Sequence, residues 1–288
     1  MSAKFGPGGN SEAFKLAGGR STLQAPGFVK SIGLDAYEYE AGNGITGSPE
    51  LFAAIGAKAR EHGVKMSFHT PYFISLSSVE PEKRINSVEY IRRSAAVSDL
   101  LGAETMVVHC GSCAKIDRET AMGYAAETLE MTAQMLEDNN FKVKLGIETM
   151  GKVNQLGTLS EVLRLCKISS RFAPVVDFGH LNARDKGVFF TTDDYKRVFD
   201  EIAETLGAEY AENLHCHFSK IMYTEMGEKK HLTFEDSVYG PEFEPLAEAM
   251  VALGVSPTII CESAGTQSDD ALYMKAVYQE TLARFAFD

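Results

Sequence analysis

The sequence predicts an α/β fold, a single (β/α)8 TIM barrel, and three observations predict it. Short apolar or β-branched runs recur along the chain, an amphipathic stretch follows nearly every one, and no Pro/Ser linker, charge block or internal repeat interrupts the 288 residues. Parallel strands joined by helices require that alternation, because each crossover must carry the chain back to the same edge of the sheet. A length of roughly 250 residues is ordinary for one closed barrel. The expected unit is one domain, residues 1–288.

The predicted strands cover 4–6, 33–38, 64–68, 105–108, 144–147, 173–176, 213–215 and 257–260. Most are dominated by Val, Ile, Leu, Met and aromatic residues, with turn formers between them. Helical periodicity covers 49–61, 81–101, 118–138, 159–166, 193–204, 243–253 and 269–285, with a less regular stretch around 21–31. Asp117 and Thr192 stand where N-caps belong, since a short polar side chain accepts from the free amides of a first turn; Gly102, Gly207 and Gly254 stand where helices should stop. Eight strands alternating with eight helices fit a closed barrel better than an open doubly wound sheet. The glycine fingerprint of dinucleotide binding is absent, and Gly6-Pro-Gly-Gly9 reads as a turn after the first strand.

Composition excludes several classes. No apolar run approaches the roughly 18 residues that span a membrane, and the opening Met1-Ser-Ala-Lys-Phe5 has no signal-peptide core, so a cytoplasmic protein without a membrane partner is expected. Five cysteines in no framework spacing point away from disulfides, and the lone Cys110-Gly-Ser-Cys113 reads as structural. The net charge of −12 disfavours non-specific binding of a polyanion, because each phosphate contact needs a Lys or Arg. Bound divalent cations would reverse the local field of an acidic pocket.

Six successive strands, the third to the eighth, finish on a group able to bind a metal. Phe68 is followed by His69, Val108 by His109, Ile147 by Glu148, Val176 by Asp177, Leu214 by His215 and Cys261 by Glu262. All strand C-termini of a parallel barrel open on one face, so residues distant in sequence converge there. Imidazoles and carboxylates without thiolate suit a catalytic zinc or manganese site. Of the seven histidines only His62 falls in a helical stretch; His180 and His231 lie in loops. His215 and His217 share one face of a strand, so either can be the ligand.

At these residues the sequence resembles the endonuclease IV family of apurinic/apyrimidinic endonucleases, within the xylose-isomerase-like barrel superfamily. The segments are Phe68-His-Thr-Pro-Tyr-Phe73, Val107-Val-His-Cys-Gly111, Gly146-Ile-Glu-Thr-Met150, Val176-Asp-Phe-Gly-His180, Leu214-His-Cys-His217, Gly227-Glu-Lys-Lys-His231 and Ile260-Cys-Glu-Ser263. The resemblance implies a zinc cluster. His69, His109 and Glu148 would hold the first metal, with Glu148 bridging to a second completed by Asp177, His215 and Glu262, and His180 and His231 would bind a third. Lys229 stands where the family has an Asp, leaving two or three zinc ions, or manganese, with Glu228, Glu225 or His217 as a replacement ligand. The loop after the second strand also lacks the family's inserting arginine.

The implied activity is hydrolysis of the phosphodiester 5′ to an abasic site in damaged double-stranded DNA, by a monomer. Glu148 and Glu262 would orient the attacking water and accept its proton, and Tyr72 would contact the distorted nucleotide. The rival activity is that of a sugar isomerase or epimerase using one manganese on Glu148, Asp177, His215 and Glu262. A non-catalytic metal protein is the third class, disfavoured because open-mouthed mixed sites leave a coordination position for water.

Overall fold

Runs buried on both faces are what strands need when helices cover one side and a barrel interior fills the other. In the computed structural model, which describes residues 2–286, the chain supplies eight of them. They are β1 (Lys4–Pro7), β2 (Ala36–Glu40), β3 (Lys65–His69), β4 (Thr105–His109), β5 (Lys144–Glu148), β6 (Phe172–Asp177), β7 (His215–Phe218) and, after a hairpin, β10 (Thr258–Cys261). Met1, Phe287 and Asp288 of the expected 1–288 unit lie outside the described residues.

All seven neighbouring pairs from β1 through β10 round to β2 run parallel. A parallel bridge between Gly8 and Glu38 brings β1 against β2 and closes the cylinder. That seam needs glycine: a Cβ on Gly6 would fall 1.7 Å from the Ala36 carbonyl oxygen. The main helices are α3 (Pro49–His62), α4 (Pro81–Leu101), α5 (Arg118–Asp138), α6 (Leu159–Cys166), α8 (Thr192–Leu206), α10 (Glu244–Leu253) and α11 (Gln267–Phe285), with α2 (Ala25–Ser31) shorter. Asp117 caps α5 by accepting from the Thr120 amide at 2.9 Å. Gly102 and Gly254 end α4 and α10 in the left-handed conformation. Thr192 is the first residue of α8, not its cap; the preceding Thr191 amide donates to Asp194 at 2.8 Å.

Two departures from expectation matter for the site. Residues 208–212 form a further helical turn, α9 (Ala208–Glu212), so β7 begins at His215 instead of ending there. Beyond it lies an antiparallel hairpin, β8 (Ile221–Thr224) with β9 (Gly227–His231), outside the barrel. The polar Glu-Lys-Lys of β9 gives no strand alternation, which is why periodicity misses it. The short α1 (Glu12–Leu16) and α7 (Phe178–Arg184) are also new. No helix among the described residues is long and apolar enough to cross a membrane.

Candidate metal centre

Strand register decides which side chains meet. His109 on β4 lies level with Glu148 on β5, and Asp177 on β6 lies level with His217 on β7. Glu262 follows β10, tied to the end of β7 by its amide's bond to the Phe218 carbonyl at 3.2 Å. Among the described residues five groups of donor atoms lie within a 4.8 Å spread, and three of them adjoin at the mouth: His69, His109 and Glu148; Glu148, Asp177, His217 and Glu262; and His180, Glu228 and His231. The other two, Glu38 with His215 and His217, and Glu38 with Glu40 and Glu262, involve β2. Glu148 belongs to two of them. Its Oε2 lies 3.1 Å from His109 Nε2 and 3.5 Å from His69 Nε2, while Oε1 lies 2.9 Å from His217 Nδ1.

Most of these side chains, with Tyr72, Lys152 and Gln155, line a cavity of about 420 Å3 at the C-terminal mouth, while Asp177 and His217 lie fully buried beneath it. Tyr72 stands half out of the surface at 60% exposure, its ring 5.6 Å from that of His69 and 5.8 Å from that of His109.

His215 corrects the sequence expectation. Because α9 delays the strand, His215 occupies its first position and faces the opposite, N-terminal mouth, lining a separate cavity with Lys65 and Lys144. It is not in the group with Glu148, Asp177 and Glu262, where His217 stands instead. Lys229 is the second correction. The hairpin register slips between Met222 and Tyr223, whose partners are Lys230 and Glu228, so Lys229 is an unpaired bulge residue. In a regular strand residues 229 and 231 share a face; the bulge puts Glu228 beside His231 and sends Lys229 to solvent.

The hairpin reaches the mouth through a glycine contact. Gly227 has φ +82°, and a Cβ there would lie 2.1 Å from the Gly151 carbonyl oxygen. The Glu228 amide donates to that same carbonyl at 3.0 Å, which holds its carboxylate 3.5 Å from His180 Nε2.

The donors fit divalent cations on three counts. First, Glu148 Oε2 and Asp177 Oδ2 are buried without a hydrogen-bond partner, although Asp177 Oδ1 caps α7 through the His180 amide at 2.7 Å. A buried carboxylate oxygen left bare is costly unless a cation faces it. Second, three imidazoles have one nitrogen held by a supporting group. Nδ1 of His69 lies 2.9 Å from the Thr70 carbonyl, that of His180 3.0 Å from the Thr149 carbonyl and that of His231 2.8 Å from Ser219 Oγ. The other ring nitrogen is left for the cavity, as in metal sites generally.

Third, the protonation pattern shows positive charge being drawn in. Burial opposes protonation of His69 and His180, yet Glu40 and Glu148 beside the former, and Asp177 and Glu148 beside the latter, raise them to about 10 and about 9. Burial, then repulsion from Glu148 and Asp177, pushes Glu262 up to about 8 against the pull of His217. Glu148 is driven up by burial and down by His217, His109 and His69, and ends well below the usual carboxylate range.

Sequence reasoning missed Glu38 and Glu40. Both lie on β2, where the Tyr37-Glu38-Tyr39-Glu40 alternation aims every second residue inward, and Glu38, Glu40 and Glu262 approach one another. The signal was available, since the second strand also runs into carboxylates. The buried Cys110 thiol donates to the Glu148 carbonyl at 3.3 Å, and all five cysteines are free, none of them paired in a disulfide.

A (β/α)8 barrel with clustered imidazoles and carboxylates at its strand C-termini, able to bind metals, defines the class. The profile of the family described as xylose isomerase-like TIM barrel matches residues 27–284, and the chain belongs to that family. An uncharacterized protein of Methanocaldococcus jannaschii is 30% identical over 255 residues, 88% of this chain and 90% of that protein. A probable endonuclease 4 of Acholeplasma laidlawii is 27% identical over 218 residues, 68% of this chain and 71% of the relative. Among solved structures, a D-tagatose 3-epimerase-like protein superposes with TM-score 0.70 at 20% identity, covering 97% of each chain. Endonuclease IV from Thermus thermophilus superposes with TM-score 0.68 at 18% identity, covering 98% of this chain and 99% of its own. The resemblance to endonuclease IV proteins holds in sequence and in fold.

Proposed function

We propose that this protein is a metal-dependent endonuclease that hydrolyses the phosphodiester 5′ to abasic sites in damaged double-stranded DNA. One observation carries the reading: three adjoining donor groups share one mouth, with Glu148 common to two. The relatives named probable endonuclease 4 support it. Zinc suits the nitrogen-rich donor set. His69, His109 and Glu148 would hold one cation, Glu148, Asp177, His217 and Glu262 a second, and His180, Glu228 and His231 a third. Bound there, divalent cations lower the pKa of water and stabilise charge developing on phosphate.

The chain's own groups would do the rest. Glu262, at the rim of the second group, would orient the attacking water and accept its proton, and Glu148 would serve both of the first two groups. Tyr72 packs against the sugar of the extruded nucleotide, which leaves the stack at little cost without a base. Lys152 on the cavity wall and exposed Lys229 and Lys230 on the hairpin supply local positive charge for the backbone in a chain of net charge −12. Five free cysteines suit a reducing cytoplasm.

A second reading has its own support. The group Glu148, Asp177, His217 and Glu262 suffices for one cation, and a cavity of about 420 Å3 accommodates a sugar. A manganese-dependent ketose epimerase would use that group alone. Metal analysis of the purified protein, paired with cleavage of an abasic-site duplex, separates the two. Two or more zinc per chain with nicking is the expected result. One manganese, no nicking and epimerisation of a ketose would overturn it.

A further inference from the structure

The pair His215-Cys-His217 places two imidazoles on one inward face of β7, yet only His217 reaches the donor groups at the mouth. Glu38 lies across the interior on β2, fully buried. Its two oxygens are divided between the two rings: Oε2 lies 2.9 Å from His215 Nε2, and Oε1 lies 2.8 Å from His217 Nε2. Glu38 Oε1 and His217 Nε2 are both buried and, although 2.8 Å apart, are not aligned as a hydrogen bond, so each is left without a hydrogen-bond partner in the metal-free chain. The opposite nitrogen of His217, Nδ1, lies 2.9 Å from Glu148 Oε1 and 3.3 Å from Glu262 Oε1, among the donors of the second group.

An imidazole that ligates through Nδ1 must carry its proton on Nε2, and a buried N–H needs an acceptor. Glu38 Oε1, itself unpartnered and 2.8 Å away, is the acceptor within reach of it. A carboxylate so placed sets the tautomer and the ring angle of a ligating histidine and strengthens its basicity. The carboxylate must itself be held, because it crosses the barrel on a flexible side chain. His215 does this at the other oxygen, from the first position of β7, on the side away from the metal groups.

We propose that Glu38 is a positioning residue that commits His217 to metal ligation through Nδ1, and that His215 anchors Glu38 for the task. The proposal rests on the reading of the second group as a cation site. It accounts for both histidines of the pair, one presented to the cation and one holding the carboxylate that orients it. Glutamine at position 38 keeps the shape of the side chain but offers one acceptor and one donor head where two N–H groups need acceptors.

The test is read at the metal. Zinc per chain and chelator-competition affinity would be measured on the full-length wild type, on Glu38→Gln and on His215→Gln, with circular dichroism confirming the fold of each. Glu38→Gln is expected to weaken one zinc by roughly 10- to 100-fold and leave the others in place. His215→Gln, which leaves the carboxylate but frees it, should weaken the same zinc by a smaller factor. Nitrogen NMR of the zinc-loaded wild type should show His217 protonated at Nε2, a signature that a merely structural Glu38 would not impose. A folded Glu38→Gln protein that binds every zinc with wild-type affinity overturns the proposal. Should Glu38→Gln not fold, unchanged affinity in His215→Gln overturns it equally. A wild type that binds zinc but fails to nick abasic DNA counts against the nuclease activity and leaves the Glu38 measurement intact.

Discussion

Glu262 is the site carboxylate whose environment departs most from its donor neighbours. Glu148 is held low by imidazoles, whereas burial, with Glu148, Asp177 and Glu40 close by, pushes Glu262 up to about 8 in the metal-free chain. Glu262 also lines the cavity at the mouth, where an acceptor for the proton of an attacking water must stand. Glu262→Gln should therefore lower cleavage of an abasic duplex by roughly 10²- to 10⁴-fold with an unchanged circular dichroism spectrum; a wild-type rate would remove Glu262 from the reaction. At this scale the convergence of His69, His109, Glu148, Asp177 and Glu262 on one mouth was legible, because each sits at or just beyond a barrel-strand end; His180 joins them from α7 and His231 from the end of β9. The choice between His215 and His217 was not legible, since both share a face and only depth along the strand separates them. That depth is fixed by α9, which the sequence Ala208-Glu-Tyr-Ala-Glu212 signals weakly.

At the scale of elements, the hairpin shows how a local irregularity replaces a missing side chain. Lys229 stands where the resemblance asks for a carboxylate, and the bulge at Lys229 turns the preceding residue inward instead. Removing the carboxylate and removing the bulge should then differ. Glu228→Ala should cost the cation at His180 and His231, lowering zinc per chain by one. Deleting Lys229 restores regular pairing and leaves Glu228 two residues before the histidine, on the same face, so the zinc content should stay at the wild-type value. Loss of zinc from the deletion variant, with the fold intact, would show that the bulge does not present Glu228. The barrel strands and long helices could be read from periodicity, because burial on both faces and amphipathic repeats leave a strong pattern. The hairpin lies outside the barrel and is largely polar, so its pairing comes from docking on Gly151, which no local pattern encodes.

Over the whole molecule, the net charge of −12 is distributed so that a dense set of carboxylates converges on one barrel mouth. The metal-free protein compensates by holding protons, and this makes its stability depend on pH in a definite direction. His69 and His180 are raised from 6.5 to about 10 and about 9, and Glu262 from 4.5 to about 8. A raised folded-state pKa stabilises the fold fully below the unfolded value, and that contribution is lost as pH climbs through the folded value. All three groups therefore act with the same sign between about 6.5 and 8, His180 and His69 continue to about 9 and about 10, and His217, also raised well above its ordinary value, acts in the same direction. The groups held low, Glu148 and Glu38 among the carboxylates and His109, His215 and His231 among the imidazoles, change state below that window. Chelator-treated protein should accordingly lose thermal stability from pH 7 to pH 10, at roughly 2–4 °C per kcal/mol for a domain of this size. Cations that replace those protons remove this part of the dependence, so zinc-loaded protein should hold its Tm up to about pH 8. Above that the buried thiols of Cys110, Cys166, Cys216 and Cys261, pushed up from 9.0 by burial, cost stability with or without metal. Parallel melting curves with chelator and with zinc, at half-unit pH steps, measure both slopes. If the two curves run together, protons and cations do not compete for this mouth, and the three donor groups are not a metal centre.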